Sequence, residues 1–270
     1  MDTSVFDAQH YEPAKIIMIT SAKGGVGKST VCANLSLTLA QSGKRVLAID
    51  LDMDNRCLDL LLHMEDSVMY HMGDVLSGQI TLSEASQEHP RVPGLTFVAA
   101  PPFPIALPAP EVFAQTLTQA AAAGTYDFIL LDTPGSVSDI LPLAAPITDT
   151  ALIVSSPQAT AVRGAQRAGD VLAQMGVEDL ALIVNQYDFS AKKADPVSDR
   201  LTLIEMIDRI SIRLLGVIPF CSRVWKDQND GVLITDASYR KNDFAQSFSN
   251  IAKRLEHKQI PLLSGFRRNK

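Results

Sequence analysis

Cysteine is scarce: Cys32, Cys57 and Cys221 stand far apart, with no C-x-x-C pair. That pattern excludes a disulfide framework and a zinc or iron–sulfur ligand set, and it reads as three reduced thiols in a cytosolic protein. Long apolar runs are missing as well. Nowhere do the roughly 18 apolar residues of a membrane-spanning helix follow one another. An N-terminus carrying Asp2 and Asp7 and no long apolar stretch is not a secretory signal. Any membrane contact is therefore expected to be peripheral. An excess of positive charge is also lacking. A net charge of −6 argues against a surface given over to nucleic acid, although it leaves room for a local basic patch. Outside the C-terminal tail no dense Lys/Arg cluster occurs. With 46% hydrophobic and 20% charged residues, the chain has the composition of a folded protein.

Short apolar runs recur at Ile16–Thr20, Arg45–Asp50, Leu95–Ala99, Phe128–Asp132, Ala151–Ser155, Ala181–Asn185 and Leu214–Ile218. They are rich in Ile, Val and Leu and continuous rather than alternating, as in parallel strands buried on both faces. Helical segments are predicted at Thr30–Ser42, Pro110–Ala123, Thr160–Met175, Ser198–Arg213 and Asn242–Glu256. Alternating strand and helix imply an α/β fold, a doubly wound and mostly parallel sheet flanked by helices. The 270 residues could form one large domain or two small ones. No linker or repeat is visible, and the stretch Ala99–Pro110, with five prolines, reads as a loop. The expectation is one domain over 1–258 and a short basic tail over 259–270.

In such sheets ligands sit at the carboxyl ends of the strands, where the polar residues of this chain gather. After the first run comes Ser21–Thr30, a phosphate loop. Gly24, Gly25 and Gly27 let the backbone around Val26 aim successive N–H groups at phosphate oxygens. Lys28 brings a charge to the β- and γ-phosphates, Ser29 offers a hydroxyl to Mg²⁺, and Thr30 opens a helix whose dipole favours anions. One departure from the usual pattern is Ala22, which stands where the first glycine is expected. Asp50 and Asp52 end the second run and Asp132 the fourth, followed by Thr-Pro-Gly135. An aspartate after a buried strand can hold Mg²⁺ through water, and the Gly135 N–H can sense a γ-phosphate.

A second lysine inside the loop, Lys23 in Lys-Gly-Gly-Val-Gly-Lys-Ser-Thr, resembles the deviant Walker A pattern of the MinD/ParA family of ATPases. The resemblance runs from Lys15 to about Leu255. It implies Mg²⁺-dependent hydrolysis of ATP to ADP and an ATP-dependent homodimer, in which Lys23 supplies charge in trans to the transferring phosphoryl group, as an arginine finger does. It further implies that Asp52 orients the attacking water, that Asp50 and Asp132 lie near the metal, that Asn185 reads adenine and that Pro219 wraps the base. The motifs at Arg56–Leu60, Gly73–Gly78, Pro157–Arg163 and Leu214–Pro219 are most similar to the branch that selects the cell-division site. That branch implies protein regulators and attachment to the inner membrane surface when ATP is bound. A flagellar-placement ATPase or a DNA-partitioning ATPase is the alternative. Asp54, Gln158 and Gly164 depart from the family pattern near its partner and dimer surfaces.

In the tail, Pro261 suits a first helical position, and Leu262, Leu263 and Phe266 would then share a face flanked by Arg267, Arg268 and Lys270. That is a miniature interfacial helix for an anionic membrane surface. The other reading is a terminus docked on its own domain or disordered.

Overall fold

The computed structural model describes residues 12–135, 139–190 and 200–267. Within them eight strands form one sheet: β1 (Lys15–Thr20), β2 (Val46–Asp50), β3 (Gln87–Glu88), β4 (Leu95–Val98), β5 (Phe128–Asp132), β6 (Thr150–Ser155), β7 (Leu180–Tyr187) and β8 (Arg213–Pro219). Their order is β3-β4-β2-β5-β1-β6-β7-β8. Every pairing is parallel except that of the two-residue β3, which runs antiparallel to β4 at one edge. All seven predicted strands are present, displaced by at most two residues at an end. Continuous apolar runs identified them because both sheet faces are covered, and β2, β5 and β6 are buried throughout.

The described helices are α1 (Lys28–Gln41), α2 (Leu58–Leu62), α3 (Met72–Leu76), α4 (Leu82–Ala85), α5 (Pro110–Ala122), α6 (Ile140–Ala144), α7 (Ala159–Gln174), α8 (Leu203–Ile210), α9 (Arg223–Asn229) and α10 (Asp243–Leu255). On one face α1 and α10 pack with α2, and on the other lie α5, α6, α7 and α8. Helix α1 is buried nearly all round, from Val31 to Ala40, because the sheet covers one side and α10 another. Helix α10 presents one stripe, Phe244, Phe248, Ile251 and Leu255, at the spacing of a single helical face. It approaches β8 closely at Gly216, where an added Cβ would run into the Ile251 side chain.

Two expectations are corrected. The helix predicted over Ser198–Arg213 spans Leu203–Ile210, with residues up to 199 outside the described set. Thr202 and Glu205 close a capping box that starts the helix, and Ser211 turns left-handed (φ 55°) to end it, which frees Arg213 to begin β8.

The tail is the second correction. Residues 262–265 form turns rather than a helix, with Ser264 N–H donating to the Pro261 carbonyl at 3.1 Å and Phe266 N–H to that of Leu263 at 3.2 Å. Gly265 stands at φ +76°, a conformation that interrupts any right-handed helix. The segment doubles back along β8, the edge strand opposite β3. The Arg254 guanidinium donates to the Leu215 carbonyl on β8 (2.6 Å) and the Ile260 carbonyl on the tail (2.9 Å). Asn250 donates to the Ser264 carbonyl at 2.8 Å, and Asp243 accepts from Arg267 N–H at 2.8 Å. The apolar triplet is split: Leu262 packs on the core, Phe266 sets its ring edge-on to Phe189 at 6.0 Å, and Leu263 is 41% exposed. Arg268 lies outside the described residues.

Candidate functional site

The carboxyl ends of β1, β2 and β5 converge because these strands are neighbours in register. Asp50 on β2 lies opposite Asp132 on β5, and Asp132 pairs in turn with Ile19 on β1. Two acids side by side at a buried strand end would repel, and the phosphate loop supplies the cation between them. Lys28 donates to Asp132 Oδ1 at 2.8 Å and stands 3.7 Å from Asp52 Oδ2, all three side chains being at least 94% buried. Burial opposes the charge on Lys28, but Asp132, Asp52 and Asp50 outweigh it, and its pKa is raised. One ammonium cannot balance three carboxylates. Burial and the neighbouring Asp132 push Asp50 up to about 8. Its oxygens also accept the backbone N–H groups of Asp52 (2.9 Å) and Leu58 (3.1 Å).

Asp132 Oδ2 is buried without a hydrogen-bond partner among the described residues. An orphaned carboxylate oxygen beside Ser29 and Lys28 suits the outer shell of a divalent cation, and the pair Ser29 and Asp132 fits Mg²⁺. Asp52 accepts from the backbone N–H of Asn55 (3.2 Å) and from its side chain (3.1 and 3.2 Å). Asn55 therefore orients the carboxylate expected to position water, and nothing in a linear motif distinguishes it.

Around the phosphate position Gly25 (φ +78°) and Gly27 (φ +85°) hold left-handed backbone, and Gly27 caps α1. The first turn of α1 carries no acidic residue, so its N–H groups face an anion site without competition. Gly135 lies against the loop, 3.5 Å from Gly24 Cα when a Cβ is built on it. The neighbouring 136–138 lie outside the described residues.

Two departures from the family pattern explain each other. A Cβ on Gly164 of α7 would stand 3.1 Å from the Cβ of Ala22. With alanine at the start of the phosphate loop, a side chain at position 164 on α7 would meet it in tight contact. Asp54 is exposed on the turn between β2 and α2.

Asn185 is aimed by an irregularity. The β7–β8 register shifts between Val184 and Tyr187, and Gln186 is left-handed (φ 57°), so the side chain of Asn185 turns to the loop. One of its amide hydrogens goes to the Val26 carbonyl at 2.8 Å, which leaves the second for a base. The adjoining cleft is lined by Asn185, Gln186, Pro219, Phe220, Trp225 and Gln228. Trp225 is 70% exposed and Phe220 56%, so both offer aromatic faces to the cleft. Gln186, Phe220, Trp225 and Gln228 escaped the sequence reading because no motif spacing marks them. Lys23 stands at the rim, outside the carboxylate nest, and donates to Gln158 Oε1 (2.8 Å) and Thr160 Oγ1 (3.0 Å).

Comparisons with known proteins agree with this geometry. The ParA family, described as NUBPL iron-transfer P-loop NTPase, matches residues 12–256. The septum site-determining protein MinD of Synechocystis sp. is 32% identical over 92% of this chain and 92% of its own. Among solved structures, the MinC:MinD cell division protein complex of Aquifex aeolicus superposes with TM-score 0.84 at 30% identity, covering 92% of this chain and 98% of that one. The septum site-determining protein MinD of Pyrococcus horikoshii, complexed with Mg-ADP, gives TM-score 0.75 at 26% identity, covering 90% and 96%.

Proposed function

Because this chain belongs to the MinD/ParA family of P-loop ATPases, we propose that it is a switch in which ATP joins two copies and the pair works at the membrane in division-site selection. The chain is a MinD-like, Mg²⁺-dependent ATPase. The observation that carries the dimer is the separation of its two loop lysines. Lys28 is sunk among carboxylates that belong to its own subunit, whereas Lys23 is held at the rim by two neutral side chains. A buried lysine serves the nucleotide of its own chain. The position of Lys23 at the rim supports the reading that it serves the nucleotide of a second copy.

In this reading ATP phosphates would compete with Asp132 for Lys28, and Asp132 with Ser29 would then be available to hold Mg²⁺. Mg²⁺ held by Ser29 and, through water, Asp132 would neutralise charge on the β- and γ-phosphates. The loop N–H groups and the start of α1 cradle the same oxygens. Asp52, steadied by Asn55, orients the water that attacks the γ-phosphoryl group, and Lys23 of the second copy stabilises the charge that develops. A partner protein of the division system binds this chain, as MinC forms a complex with MinD in the Aquifex relative.

Light scattering with ATP and with ADP tests the switch. Wild type is expected to dimerise under ATP alone, and Lys23→Ala to bind nucleotide as a monomer without dimerising or turning over. Asp52→Ala is expected to trap a long-lived ATP dimer. A full ATP dimer formed by Lys23→Ala would remove the trans role.

A further inference from the structure

We propose that Gln158 and Thr160 form a resting cradle that retains Lys23 within its own subunit, so that their grip sets how readily ATP drives dimerisation. The proposal rests on the dimer reading above and adds to it the residues that hold Lys23 back. The lysine amine donates to Gln158 Oε1 at 2.8 Å and to Thr160 Oγ1 at 3.0 Å. Both acceptors are neutral. Among the described residues no ion pair is recorded for Lys23, in contrast to Lys28.

The cradle is built rather than incidental. Gln158 is the N-cap residue of α7, and its backbone is clamped from outside. It forms an antiparallel bridge with Arg200, and Leu201 N–H donates to the Pro157 carbonyl at 2.7 Å. Thr160 lies in the first turn of α7, and Gly164, one turn on, keeps that helix close to Ala22 at the base of the loop. The distance from Lys23 to its acceptors is thus set by packing between α7 and the phosphate loop.

A lysine that acts in trans must first leave this cradle. Two neutral hydrogen bonds at a partly exposed site hold it weakly, since such bonds are largely exchanged for bonds to water. A carboxylate at position 158 would add an ion pair, and removal of the amide would loosen the hold. Exposed pairs of this kind shift an equilibrium by about two- to fivefold each, and the effect enters twice per dimer.

The test compares wild type, Gln158→Ala, Gln158→Glu and Thr160→Val by light scattering with a non-hydrolysable ATP analogue and Mg²⁺, titrating protein concentration. The dimer midpoint is expected to fall for Gln158→Ala and Thr160→Val and to rise roughly four- to twenty-fivefold for Gln158→Glu. On a Lys23→Ala background the position-158 effect on analogue binding should vanish. Acylation of Lys23 in the nucleotide-free monomer, followed by peptide mass spectrometry, reads the cradle directly and should speed up in Gln158→Ala. If Gln158→Ala and Gln158→Glu both weaken the dimer, the side chain is an interface contact and the cradle is overturned. The same follows if a wild type that dimerises is shifted by neither variant. A wild type that stays monomeric overturns the dimer reading together with the proposal.

Discussion

Lys28 illustrates how one residue can hold a site in readiness and stabilise the fold at the same time. In this fold it is the counterion of Asp132 and Asp52, while burial and the neighbouring Asp132 push the Asp50 carboxyl up to about 8. Lys28→Ala removes the cation and leaves buried carboxylates unpaired, a change that costs about 3–5 kcal/mol. The variant should melt well below wild type by calorimetry. Its ATP affinity should drop by roughly ten- to a hundredfold, the worth of one charged hydrogen bond. Unchanged affinity would move the phosphate site elsewhere. Ala22 and Gly164 make a sharper test because both are small. Replacing a helical glycine by alanine ordinarily gains about 0.4–1 kcal/mol, but here the new Cβ meets Ala22 at 3.1 Å. Gly164→Ala should be neutral or destabilising alone and stabilising on an Ala22→Gly background. Denaturant melts of the four proteins should give a coupling of at least about 0.5 kcal/mol.

Among the elements, β8 is an edge strand, with no sheet partner beyond it among the described residues, and such an edge invites another chain. The segment after α10 answers that hazard: Arg254 joins the β8 carbonyl of Leu215 to the tail carbonyl of Ile260, and residues 258–261 lie alongside Arg213–Leu215. Three side chains of α10, Asp243, Asn250 and Arg254, hold the tail by its backbone. A chain ending at Lys258 loses those bonds, each worth about 0.5–1.5 kcal/mol, and the packing of Leu262. Its unfolding free energy should fall by roughly 2–4 kcal/mol, and it should scatter light on heating sooner than the full chain. A truncated protein as stable and as soluble as wild type would show that the docked tail contributes nothing to the edge.

At the scale of the whole molecule the docked tail changes the arithmetic of membrane attachment. Leu262 and Phe266 must leave the core and Phe189 before they can enter lipid. Burying Leu262, Leu263 and Phe266 in a bilayer yields about 1.5–3 kcal/mol each at best, and releasing the docking bonds takes part of that away. One tail should therefore bind weakly, and two on an ATP-joined pair should bind by avidity. Sedimentation with anionic liposomes is expected under ATP and not under ADP, and added salt should weaken it. Asn250→Ala, which frees the Ser264 carbonyl, should strengthen ATP-dependent sedimentation, and Phe266→Glu should abolish it. Equal sedimentation with ATP and ADP would sink the switch, and a weaker Asn250→Ala would sink the opposition between docking and lipid. Among the described residues no helix is long and apolar enough to cross a membrane.

What could be read from the chain alone was set by short-range chemistry. Continuous runs such as Phe128–Asp132 mark buried parallel strands whatever their neighbours, and the glycines, lysines and hydroxyls of Ser21–Thr30 form a phosphate site because they are contiguous. Strand-end acids could be placed for the same reason, since parallel strands bring their carboxyl ends to one edge. Other features needed the fold because their partners are distant in sequence. Lys28 meets Asp132 across 104 positions, Asn185 reaches Val26 across 159, and Lys23 meets Gln158 across 135. The tail divided the two kinds of evidence most clearly. Helical spacing placed Leu262, Leu263 and Phe266 on one face, but so short a segment cannot stabilise a helix by itself. With Gly265 inside it, the backbone is shaped instead by the hydrogen bonds that Asn250, Arg254 and Asp243 make from the neighbouring helix.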